Sequence, residues 1–90
     1  MTNTFNTAEQ ARGIMYDIND RLCRLPYNPD LSKFCYNICD MVEDLSKLEV
    51  YTRRTHPRSR YHVEYNKQRE IIRAAIKQLD HYMLMALLMA

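Results

Sequence analysis

LSKFCYNICDMVEDLSKL, Leu31 to Leu48, is the stretch that decides the fold. Leu31, Phe34, Cys35, Ile38, Met41, Val42, Leu45 and Leu48 recur at steps of three and four, the spacing of one face of an α-helix. Asp40, Glu43, Asp44, Lys47 and Glu49 decorate the other side, so the segment reads as an amphipathic helix with one buried stripe. The same period extends in both directions. Upstream, Ala11, Ile14, Met15, Ile18, Leu22 and Leu25 form a stripe, with Asp17, Asp20, Arg21 and Arg24 largely on the solvent side. Downstream, Tyr61, Tyr65, Ile72, Ala75, Ile76, Leu79, Met83 and Ala86 form another. There is no period-two alternation, no strand-sized block of β-branched residues and no hairpin signal. The spacing predicts an all-α chain: three long amphipathic helices in an antiparallel bundle. Ninety residues bury only a modest core, so completion of that bundle by oligomerisation is expected.

Chain breakers place the boundaries. Glycine occurs once, at Gly13, and the prolines are Pro26, Pro29 and Pro57. They divide a single domain, residues 1–90, into helices at about 8–25, 31–54 and 60–88, after a polar, frayed segment 1–6. Thr7, with Gln10 three residues on, has the pattern of a capping box. Asp30 is a candidate N-cap for the second helix and Ser59 for the third. At 1.5 Å per residue the third helix is roughly 43 Å long and the first roughly 27 Å. A long third helix leaves an apolar end uncovered by its partners.

That end is YMLMALLMA, Tyr82 to Ala90. Nine residues fall short of the about 20 that a membrane-spanning helix needs. Tyr82, Met83, Met85, Leu87, Leu88 and Met89 are the candidate oligomer contact. A helix end folded onto its own bundle and a membrane-surface element are the alternatives.

Net charge is +2, but the halves differ. Residues 1–50 carry five Lys/Arg and eight Asp/Glu, and residues 51–90 carry eight and three. The positive half points to an anionic partner or to head-to-tail contacts between subunits. Cys23, Cys35 and Cys39 are an odd number and no signal-peptide pattern precedes them, so a reducing, cytoplasmic setting is expected. Cys35 and Cys39 share a helical face, but no second Cys or His pair has matching spacing. They read as small core residues, with no bound metal.

Enzymatic constellations are lacking: no glycine-rich phosphate loop, no nucleophile elbow and no His-Glu metal motif. The carboxylates Asp17/Asp20 and Asp40/Glu43/Asp44 read as solvated helix faces, and His81 as a helix-terminal charge partner or a packed residue. A non-enzymatic protein without a cofactor is expected.

The partner signal is YTRRTHPRSRYH, Tyr51 to His62. Arg53, Arg54, Arg58 and Arg60 crowd eight positions with no acidic residue among them. Guanidinium forks match phosphate oxygens, and a helix N-terminus adds free N–H groups and a positive dipole. His56, Ser59, Tyr61, Tyr65, Lys67 and Arg69 complete the candidate anion-binding set, and Arg73 extends the positive character along the helix. Tyr51, Tyr61 and Tyr65 are suited to stacking on the bases of single-stranded or irregular RNA. The expected partner is nucleic acid or a nucleotide. The rival reading is a solvated turn that pairs with the acidic face of helix 2 or of a neighbouring subunit.

From LPYNPDLSKF, Leu25 to Phe34, to IIRAAIKQLDHYMLMALL, Ile71 to Leu88, the layout resembles the small four-helix-bundle family that includes the accessory variability determinant of diversity-generating retroelements. The resemblance covers residues 14–88. It implies a basic helical oligomer that binds nucleic acid and assists a reverse transcriptase, with Arg53, Arg54, Arg58 and Arg60 on the basic surface. Pro57, Ser59 and Arg60 also resemble the proline, serine and arginine that precede the second helix in phage nucleotide-sponge proteins. That second resemblance implies the alternative role: a phage or mobile-element protein that sequesters a nucleotide or inhibits a protein partner.

Overall fold

The computed structural model describes residues 5–89. Its elements are α1 (Ala8–Leu22), α2 (Pro29–Thr52) and α3 (Arg60–Met89), and no strand occurs among the described residues. The molecule is an elongated helical bundle, 50 × 18 × 18 Å. α2 is the central element and packs against both α1 and α3. The expectation of fraying over residues 1–6 lies, for residues 1–4, outside the described residues.

Local chemistry sets each helix end. Thr7 caps α1, its Oγ1 accepting from Gln10 N at 3.2 Å. The Gln10 side chain returns one residue further out than a capping box would, accepting from Asn6 N at 2.8 Å. α1 ends at Leu22 rather than near Leu25. Arg24 N and Leu25 N bond to the carbonyls of Arg21 and Leu22 in tighter i→i−3 turns, because Pro26 disfavours helical geometry in the residue before it. The second helix starts at Pro29, and its cap is Asn28 rather than Asp30. Asn28 Oδ1 accepts from Asp30 N at 3.0 Å and from Leu31 N at 3.3 Å. Pro29 is suited to the first helical position, where its missing N–H costs nothing, and Asp30 then lies in the first turn, beside the positive end of the dipole. α2 ends at Thr52, whose hydroxyl donates back to the Glu49 carbonyl at 2.8 Å.

The apolar stripes meet in one core of Ala11, Met15, Ile18, Leu31, Cys35, Ile38, Val42, Leu45, Ile72, Ile76, Leu79 and Met83, joined by Phe5 and Ala8. Phe5 is 1% exposed although it precedes any helix, so the chain is held from there onward. Met83 belongs to this core, 6% exposed. Tyr82 sets its ring edge-on to Phe34, with centroids 6.0 Å apart. Leu84, Met85, Leu87, Leu88 and Met89 remain exposed around the last turns of α3. No helix among the described residues is long and apolar enough to cross a membrane.

A polar clamp joins all three helices at one level. Glu49 of α2 accepts from Ala8 N at the start of α1 at 2.6 Å and from Tyr65 Oη of α3 at 2.8 Å. Tyr65 Oη also lies 2.7 Å from the Asn6 carbonyl, so one proton is shared between two acceptors. Arg69 donates to the same carbonyl at 3.2 Å and lies over the Tyr65 ring. Arg73 donates to the Phe5 carbonyl and lies over the Phe5 ring. Farther along, Arg12 pairs with Glu43 at 3.0 Å and Arg21 with Asp80 at 3.1 Å. Burial, followed by the neighbouring Glu49 carboxylate, raises the Tyr65 phenol to about 12.

Three outcomes follow for stability. Ile38→Ala empties fully buried space in the central helix and should cost about 2–5 kcal/mol in urea denaturation. Gly13 is exposed inside α1, and a Cβ there meets nothing within 4 Å, so Gly13→Ala should stabilise by about 0.5–1 kcal/mol. Tyr65→Phe removes the shared proton and should cost about 1–2 kcal/mol near neutrality. Because folding favours the protonated phenol, its contribution is whole below its ordinary value of 10.0 and is lost as pH rises through about 12. The gap in urea midpoint between wild type and Tyr65→Phe should therefore be constant below about pH 10 and narrow above it.

Candidate anion-binding turn

Seven residues, 53–59, connect α2 to α3. The turn is built by local bonds that leave its charged groups outside. Arg53 N bonds to the Glu49 carbonyl and Arg54 N to the Tyr51 carbonyl, both at 3.1 Å. Ser59 N donates to the His56 carbonyl at 2.8 Å, and the Ser59 carbonyl accepts from His62 N at 3.1 Å. The Ser59 hydroxyl donates across the turn to Thr55 Oγ1 at 3.0 Å. His56 Nδ1 accepts from Arg58 N at 3.1 Å, an arrangement that assigns the ring proton to Nε2. His62 Nε2 lies 3.4 Å from the Thr55 carbonyl.

Arg53, Arg54, His56, Arg58 and Arg60 are all exposed. Arg53 reaches a carboxylate, Glu49 Oε1, at 3.6 Å, with its own side chain still 75% exposed. Among the described residues, Arg54, Arg58 and Arg60 pair with no carboxylate. The acidic face of α2 therefore neutralises one turn arginine of this chain and leaves three.

Two aromatic rings bracket the turn. Tyr51, near the end of α2, stacks on Tyr61, at the start of α3, with centroids 5.5 Å apart and planes inclined at 17°. The Arg60 guanidinium lies over the Tyr61 ring, 6.0 Å from its centre. Stacking across the turn brings the two helix ends together despite four neighbouring positive charges, because it adds contact that charge does not weaken.

The remaining candidates separate by helix face. Lys67 is exposed and lies seven residues on from Arg60, on the same side of α3, with the exposed Glu64 between them. Tyr65 and Arg69 are turned the other way, into the clamp on Asn6 and Glu49. Arg73 is committed there too, with Glu70 as a second partner. The structure thus gathers Arg53, Arg54, His56, Arg58, Ser59, Arg60 and Tyr61 at one end, with Tyr51, and gives Tyr65 and Arg69 to the fold.

The chemistry elsewhere is plain. A groove of about 390 Å³ between α1 and α2 is lined by Met15, Leu22, Cys35, Cys39 and Val42, with Tyr16 and Tyr36 beside them. Burial pushes the Cys35 thiol up to about 11 and raises Cys39 as well, which keeps both sulfurs in their protonated, weakly nucleophilic form. Among the described residues, no three His, Cys, Asp or Glu side chains converge as a metal site requires. Asp17, Asp20, Asp40 and Asp44 are exposed, and Glu43 holds Arg12. No protein-family model, curated protein or solved structure matches this chain.

Proposed function

We propose that this protein is a non-enzymatic, self-associating helical module that binds nucleic acid through the turn between α2 and α3. The observation that carries the reading is the unneutralised charge of Arg54, Arg58 and Arg60 beside the partly paired Arg53. Like charges held this close repel, and a chain of phosphates relieves that repulsion while releasing the counterions that surround it. The turn presents the charge at the start of a 30-residue helix, where backbone N–H groups and the dipole add to it. Arginine and an exposed aromatic ring in one place suit a polynucleotide better than an acidic protein, because phosphate and base are then both accommodated.

Two further parts of the reading concern assembly. Contacts between Ala8 and Glu49 and between Arg12 and Glu43 support antiparallel α1 and α2, and those between Tyr51 and Tyr61 and between Phe34 and Tyr82 support antiparallel α2 and α3. Self-association through the end of α3 is supported by Leu88 and Met89, 73% and 82% exposed, beside exposed Leu84, Met85 and Leu87.

The test replaces Arg53, Arg54, Arg58 and Arg60 together by serine. Binding to a short fluorescein-labelled RNA should weaken at least about tenfold at low salt, and the slope of log affinity against log salt should flatten by about 3, one phosphate per arginine. Unaltered retention on RNA and DNA would refute nucleic-acid binding by this turn.

A further inference from the structure

We infer that the turn selects unpaired nucleic acid, and that Tyr51 is the platform on which one exposed base stacks; this rests on the nucleic-acid reading above. Tyr61 stacks on the ring of Tyr51, which as a whole residue is 55% exposed, so Tyr51 keeps surface available to a second partner. Tyr61, by contrast, is half-buried and carries Tyr51 and the Arg60 guanidinium as its ring partners. Tyr51 therefore extends a stack that already exists, and a base added to it continues the series without any rearrangement of the turn.

The surroundings decide what is added. Arg53 and Arg54 follow Tyr51 after Thr52, and Arg54 N bonds to the Tyr51 carbonyl, so the arginines and the ring belong to one hydrogen-bonded turn. A base inside a duplex has both faces covered by its neighbours and cannot reach such a ring. A single strand offers bases with a free face at the same time as its phosphates. Tyr16 and Tyr36 are more exposed than Tyr51, but they flank a groove whose arginine, Arg12, is already paired with Glu43 and whose other charged group is Asp40. Tyr51 is the exposed tyrosine that stands beside the arginine-rich turn.

The experiment separates base from phosphate. Fluorescence anisotropy would compare an oligouridylate, an abasic oligomer of the same length with the same phosphates, and an RNA duplex, for wild type, Tyr51→Ser, Tyr51→Phe and Tyr36→Ser, each checked for helicity and melting. Wild type should prefer the oligouridylate over the abasic strand by about 5- to 150-fold, the range for one base on one ring. Tyr51→Ser should abolish that preference with the salt slope unchanged. Tyr51→Phe should restore it, and Tyr36→Ser should leave it intact. Equal wild-type binding of the two strands, or equal weakening of both by Tyr51→Ser, would overturn the base platform and leave nucleic-acid binding standing. A wild type that binds none of the three probes at low salt would overturn both.

Discussion

Glu49 is the group on which the arrangement depends. Its side chain is 14% exposed, and such a carboxylate is tolerable only when its oxygens are occupied. Its Oε2 takes one donor from each side, Ala8 N at the start of α1 and Tyr65 Oη in α3, and its Oε1 lies 3.6 Å from Arg53. A charged acceptor at a helix N-terminus is favourable through both the hydrogen bond and the dipole. One residue of α2 therefore fixes where α1 begins and how α3 lies beside it. The segment ahead of α1 is tied down by the same cluster, since the carbonyls of Phe5 and Asn6 accept from Arg73, Arg69 and Tyr65.

The clamp also sorts the arginines. Arg69 and Arg73 find backbone carbonyls, aromatic faces and neighbouring side chains, and their charge is absorbed by the fold. One end of Glu49 remains within reach of Arg53. Among the described residues no carboxylate pairs with Arg54, Arg58 or Arg60, so positive charge is left concentrated at one tip of a 50 Å molecule. At the opposite end of α3 the surface is apolar. Met83 lies in the core and the partly exposed Tyr82 packs against Phe34, while Leu84, Met85, Leu87, Leu88 and Met89 stay exposed. The two ends of the longest helix thus present different chemistry, one electrostatic and one hydrophobic, at a separation of roughly 40 Å.

Periodicity alone made most of the core legible. Ile18, Ile38, Val42, Leu45, Ile72, Ile76 and Leu79 sit on their stripes and are buried, because a helix repeats every 3.6 residues whatever it packs against. Helix ends were legible to within a few residues, and the differences have local causes: Pro26 tightens the last turn of α1, and Asn28 takes the cap that Asp30 was expected to hold because Pro29 suits the position after it. Phe5 was not legible. A lone aromatic ahead of a helix has no periodic neighbours, and Arg73, which lies over its ring and donates to its carbonyl, is 68 positions away. Among the candidate site residues, Arg54, Arg58 and Arg60 were legible as charge density, whereas the diversion of Tyr65 and Arg69 was not, because their partners Asn6 and Glu49 are distant in sequence.

The sequence by itself determined the helices, their buried faces and the presence of a basic turn, since these follow from local spacing, capping chemistry and charge count. Only the tertiary structure decided which charges remain available. Neutralisation depends on distances of a few ångströms between residues far apart in the chain, and Coulomb and hydrogen-bond energies fall away beyond that range. That is why Arg69 and Tyr65 became part of the scaffold while Arg54, Arg58 and Arg60, with the exposed Tyr51 beside them, were left facing solvent.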